Sequence, residues 1–118
     1  GYEVHMASEE QTTYTGLVED RNLLTPGFLM DPAHPVVTAA AEAVGRPAED
    51  GPANVRPWLF ATDGGWSCGV HGIPTVGFAP GEERFAHTNR ERLAVEEARW
   101  GYARYPHLIA AMQQAVAS

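Results

Sequence analysis

Two short apolar runs, Trp58-Leu59-Phe60-Ala61 and Ile73-Pro74-Thr75-Val76-Gly77-Phe78, constrain this chain more than any other feature. Each has the length and composition of a strand buried on both faces. The eleven residues between them, TDGGWSCGVHG, are too many for a tight hairpin. They come close to the minimum of about a dozen needed for a crossover between parallel strands. The spacing therefore predicts a compact parallel β-loop-β unit in an α/β fold. Pro74 is tolerable at the start of its strand, and Pro80-Gly81 ends it. A sheet covered on both faces demands flanking layers, and 118 residues suffice for one core at most.

The flanking elements are helical. Asp31-Pro32 and His34-Pro35 precede a run in which Val37, Ala40, Ala41 and Val44 fall on one face, and Gly45 closes it. That predicts a helix over about residues 35–44, with His34 helping to set its start. GRPAEDGPAN, residues 45–54, reads as a surface loop. In the tail, Val95, Ala98 and Tyr102 share one face, Glu96 and Arg99 can pair on the other, and Pro106 interrupts before Leu108, Ala111, Met112 and Ala115 resume the stripe. Two helical pieces kinked near Tyr105 are expected. The first thirty residues are the least regular: an alternating run Tyr2 to Met6 predicts a strand, followed by an extended connector. Its apolar residues keep no period for long, which suits a segment lying across another surface, or a loop with its own small cluster.

Composition excludes several functions. Eight Lys plus Arg against fifteen Asp plus Glu give a net charge of -7. That opposes binding to DNA, RNA or an anionic membrane, because phosphate neutralisation drives such association. No stretch approaches the roughly 20 apolar residues of a membrane span, and GYEVHMASEE lacks the layout of a signal peptide. Cys68 is the single cysteine, so neither an internal disulfide nor a Cys-rich zinc site can form. The cytoplasm is the expected compartment.

Candidate chemistry gathers where the two runs end, since open parallel sheets bind ligands beyond the carboxyl ends of their strands. Thr62-Asp63-Gly64-Gly65 follows the first run, and the residues from Gly81 to Thr88 follow the second. The glycine pair could let backbone N–H groups meet an anion, or could simply form a turn. No phosphate-loop Lys-Ser or Lys-Thr follows it. Of the five histidines, His5, His34, His71, His87 and His107, none is paired at i, i+4, and His34, His71 and His107 fit structural or exposed roles. His87 is best placed: an imidazole on a loop at the crevice can ligate a metal if other donors converge on it. The acidic doublets Glu9-Glu10, Glu82-Glu83 and Glu96-Glu97 read as solvated surface. Cys68 reads as a buried or half-buried inert thiol, and Ser67 lacks a nucleophile-elbow context.

The block from Trp58 to Ala98, WLFATDGGWSCGVHGIPTVGFAPGEERFAHTNRERLAVEEA, resembles the last catalytic-domain segment of metallopeptidase family 20. That family includes acetylornithine deacetylase, succinyl-diaminopimelate desuccinylase, glutamate carboxypeptidase and aminoacylase, and the likeness is strongest to its selenium-metabolism hydrolase branch. TDG, HGIPTVGFAPG and AHT in that order carry the resemblance, supported by YTGLV at 14–18 and HPVVTAAAEAV at 34–44.

The resemblance implies a three-layer α/β/α metallohydrolase catalytic domain, of which this chain is the carboxyl-terminal part. Residues 1–30 would be the end of a lid-domain strand plus the connector, and residues 31–118 the carboxyl-terminal half of the catalytic domain. It further implies two zinc ions, or cobalt or manganese, and cleavage of an amide bond in a small N-acyl amino acid or peptide. His87 would be a metal ligand. Thr62, Asp63, Gly64, Gly65 and Ser67 would border the substrate, and Glu91 would brace the loop of His87. Asn89-Arg90 stands where relatives usually place one Asn before that Glu. The family's His-x-Asp strand, bridging Asp, Glu-Glu pair and general base have no counterpart here, so no catalytic residue is expected in this chain. An amino-terminal half would be the required partner. The rival expectation is a non-catalytic α/β remnant used for binding or oligomerisation, which would bury its open edge by self-association.

Overall fold

The computed structural model describes residues 1–45 and 55–117. The loop expected over residues 45–54 lies, apart from Gly45, outside the described residues. Along the chain come strands β1 (Ser8–Thr12) and β2 (Val18–Asn22), helix α1 (Pro35–Val44), a π-helical turn (Gly65–Val70), a 3-10 turn (Glu83–Phe85) and helix α2 (Val95–Ala117). Helices and one small two-stranded sheet thus make up the regular structure of the described residues.

Strand formation at the amino terminus differs from expectation. Tyr2 to Met6 forms no strand; the polar stretch after it does, as an antiparallel hairpin with Ser8 opposite Asn22 and Thr12 opposite Val18. Hydrophobic alternation could not reveal it, because nearly every residue of both strands is exposed. The turn sets the register instead. Thr13 N–H donates to Leu17 O (2.8 Å), Gly16 N–H donates to Thr13 O (2.9 Å), and Gly16 supplies the φ of +84° that the loop requires. On one face Arg21 lies opposite Glu9 and reaches Gln11 Oε1 (3.4 Å) and Glu19 (3.7 Å). On the other, Glu10 stands opposite Asp20, a like-charge pair that gives nothing back.

Helix α1 takes the predicted bounds, for local reasons. His34 is its N-cap, with Nδ1 accepting from Val36 N–H (3.2 Å), Pro35 occupies the first turn, and Gly45 ends it in the left-handed region at φ 61°. His34→Ala should lower stability by about 1 kcal/mol and His34→Asp should retain the cap, as read from urea midpoints. Val36, Val37 and Ala40 are buried where α1 packs on α2, and Leu108 is their buried counterpart.

Helix α2 runs unbroken through Pro106 rather than as two pieces. At 100° per residue, Pro106 falls on the same side as the exposed Tyr102, whose carbonyl loses its donor there and can turn to water. Its amino-terminal stripe is also rotated from the expected one: Val95 and Tyr102 are exposed, and buried Gly101 faces inward. Pro80 sits so close to Gly101 that a Cβ there would lie 3.1 Å from its side chain. Apolar counting misses a glycine used in this way. Leu108, Ala111, Met112 and Ala115 do form the inward stripe, and Glu96 pairs with Arg99 at 2.7 Å.

The two apolar runs make no ladder; β1–β2 is the one sheet among the described residues. Both runs are half-buried or exposed rather than covered on two faces, with Leu59 93% exposed. A ladder is a property of neighbouring strands, and among the described residues none adjoins these segments. Side-chain contacts hold them instead. Trp58 lies over Gly77, Tyr105 Oη donates to Phe78 O (2.9 Å), and the Phe78 ring meets Trp100 and Tyr105 edge-on.

The consequence is an open molecule. Its accessible surface is 9549 Å², against about 6,300 Å² for a compact monomer of this mass. Its radius of gyration is 18.0 Å, against about 13.5 Å for a compact domain of this length. Four hydrophobic side chains, Val36, Val37, Ala40 and Leu108, make up the buried core among the described residues. No described helix is long and apolar enough to cross a membrane.

Candidate functional site

The segment after the first run folds back on itself through local bonds. Thr62 Oγ1 accepts from Gly64 N–H (3.2 Å) and Thr62 O from Gly65 N–H (3.0 Å), while Asp63 O accepts from Trp66 N–H (3.0 Å) and Ser67 N–H (3.1 Å). The four donors that an anion would need are therefore already engaged. The glycines answer a different demand. Gly64 and Gly65 are buried, and a methyl on either would overlap Phe28 or the carbonyl of Pro26; one on Gly69 would overlap the carbonyl of Gly27. The connector thus lies directly across the glycine face of the π-helical turn. Cys68 Sγ, half-buried, meets Met30 Sδ at 3.5 Å in the same contact.

Ser67 is tied to the second run. Thr75 Oγ1 donates to Ile73 O (2.8 Å), which leaves Ser67 Oγ as the donor in its 2.8 Å bond to Thr75 Oγ1. Ile73 N–H also donates to Ser67 O (2.8 Å). Asp63 is exposed and open to a ligand, and Thr62 is half-buried beside it.

His87 is held by its backbone and presented by its ring. Its φ of 60° makes it the one non-glycine residue with positive φ among those described, in a region that bulky L-residues seldom enter and histidine enters more often than most. Glu91 Oε2 accepts His87 N–H (3.1 Å), and Glu91 N–H donates to Thr88 O (3.1 Å). Thr88 Oγ1 in turn donates to Phe85 O (2.7 Å) and accepts from Arg90 N–H (3.2 Å). The Glu91 carboxylate thus grips the backbone of His87 and leaves the imidazole alone. His87 is exposed, and its ring stands edge-on to Phe60, centroids 5.3 Å apart at 85°.

This contact brings His87 to the end of the first run, two residues before Thr62. A second tie fixes the same juncture, Leu59 N–H donating to Glu83 Oε1 at 2.9 Å. Trp58, Phe60 and Glu83 are the residues that sequence reasoning passed over. The aromatic spacing Trp58-x-Phe60, read as core, would have been the available signal.

Among the described residues no group of three His, Cys, Asp or Glu side chains converges as a metal would need. One exposed imidazole fits a zinc centre as a single donor. The remaining donors do not come from the described residues, and no chemical step can be derived through a metal on these residues alone.

Comparison with curated proteins returns relatives of part of this chain. Over 89 residues, 75% of the chain, it is 34% identical to "Uncharacterized protein YgeY" of Escherichia coli strain K12, of which that match covers 22%. Over 83 residues, 70% of the chain, it is 35% identical to "N-formyl-4-amino-5-aminomethyl-2-methylpyrimidine deformylase" of Bacillus subtilis strain 168, covering 19% of that protein. The chain spans about a fifth of the length of these curated relatives. No family model and no solved structure matches it.

Proposed function

We propose that this chain is the carboxyl-terminal portion of a metal-dependent hydrolase that cleaves amide bonds, of deacylase or exopeptidase type. The observation that carries the reading is the openness of the fold: about 3,000 Å² more surface than a compact monomer of its size would expose, together with two apolar runs that have no neighbouring strand among the described residues. A binding module acting as a monomer would have to bury those runs itself, and a self-associating one would have to cover them with a second copy. Relatives of which it matches only 22% and 19% support the same reading, and the name of one of them denotes removal of a formyl group.

On this reading residues 31–118 complete one half of a three-layer α/β/α domain, and residues 1–30 lead into it from a lid. Two zinc ions, or cobalt or manganese, would supply Lewis acidity and an activated water when bound. His87 would donate one imidazole nitrogen to them, held in place by Glu91. Because its N–H groups are engaged, the Thr62–Gly65 segment would contact a small N-acyl amino acid or peptide through the Asp63 carboxylate, suited to a substrate N–H, with Thr62 alongside and Ser67 behind. The general base and the other donors would arrive with an amino-terminal half.

The test compares zinc content and hydrolysis of N-acyl amino acids by the chain alone and with a supplied amino-terminal half. The chain alone should not turn over, and the pair should. His87→Gly relieves the positive φ, so the fold should be as stable as before, yet activity of the pair should fall by at least about a hundredfold. Turnover by the chain alone would refute incompleteness, and a pair indifferent to His87→Gly would refute the metal role.

A further inference from the structure

From the ring geometry we infer that Phe60 is a positioning residue that fixes the orientation of the His87 imidazole, with Trp58 as its backstop. This deepens the proposed function and rests on His87 being a donor. An exposed histidine on a surface loop ordinarily samples several side-chain rotamers, and a donor nitrogen is useful only when its lone pair keeps one direction. The grip of Glu91 on the His87 backbone sets where the Cα–Cβ bond points and leaves the ring free to rotate. The remaining restraint is the edge contact with Phe60 at 5.3 Å.

Phe60 is itself restrained from behind. Trp58 stacks on it, centroids 5.5 Å apart at 27°, and the six-membered ring of the indole rests on Gly77, where a Cβ would lie 2.7 Å from it. Leu59, between the two aromatics, is pinned to Glu83 by its N–H. A continuous series of contacts therefore runs from the second apolar run through Trp58 and Phe60 to the imidazole. An edge contact between aromatic rings biases its preferred arrangement by about three- to tenfold.

The test reads the His87 ring directly by NMR in the full chain, without any metal. Wild-type ring protons should be displaced from free-imidazole values by the neighbouring Phe60 ring. Phe60→Leu, which keeps apolar bulk, should return them to free values; Phe60→Tyr, which keeps the ring, should preserve the displacement. The Trp100 indole signal should stay unchanged in both, showing that α2 is intact. Displacement that survives Phe60→Leu overturns the inference, as does its absence in the wild type. Adding Zn²⁺ to the chain paired with its amino-terminal half separates the two claims: if His87 signals ignore zinc in that pair while the Phe60 series behaves as expected in the chain alone, the positioning role stands and the donor reading falls.

Discussion

Replacing Gly65 by alanine is expected to detach the connector from the π-helical turn. The added methyl would coincide with the Pro26 carbonyl, and backbone cannot give way as a flexible side chain would. The penalty should lie at the upper end of the ~1–3 kcal/mol typical of overpacking. It should appear as release of Pro26 to Met30, with protease cleavage after Phe28 or Leu29 accelerated at least tenfold. Gly27→Ala is the matched control: nothing lies within 4 Å of its Cβ position, so it should leave cleavage unchanged. If Gly65→Ala cleaves like the control, the connector does not lie where the structure places it.

Leu108→Ala should be the most damaging change to α1 and α2. Leu108 is 5% exposed and opposes Val36, Val37 and Ala40 in a core with no reserve. Large-to-small replacements of this kind lose about 2–5 kcal/mol. The neighbouring surface groove is already lined largely by alanines, Ala39, Ala43, Ala111 and Ala115, with little bulk available to refill a void. Helical circular dichroism should fall and the urea midpoint should collapse. Ile109→Ala, next in sequence but 54% exposed, should shift the midpoint by no more than about 0.5 kcal/mol.

Signals that act within a few residues were legible in the sequence. The bounds of α1 follow from His34, Pro35 and Gly45, each acting on its own backbone, and the Glu96–Arg99 pair follows from helical spacing alone. Signals that depend on a distant partner were not. The two apolar runs look like central strands because of what they would bury, and whether they ladder depends on strands that do not adjoin them. The inward face of α2 turned on Gly101, whose value lies in the space it leaves for Pro80. At the candidate site the positions of His87 and Glu91 on one loop were readable. That the glycine pair serves the passing connector, and that Phe60 meets the imidazole, are facts of the three-dimensional arrangement.

The hairpin from Ser8 to Asn22 carries a consequence for how this stretch of sequence can change. With water on both sides, no hydrophobic face punishes a wrong alignment, and the Thr13–Leu17 loop alone decides which residues meet. Substitutions along either strand should therefore drift freely among lineages. A single inserted or deleted residue in that loop would swap the two surfaces, moving Arg21 away from Glu9 and Gln11, so length rather than identity is what inheritance has to preserve here.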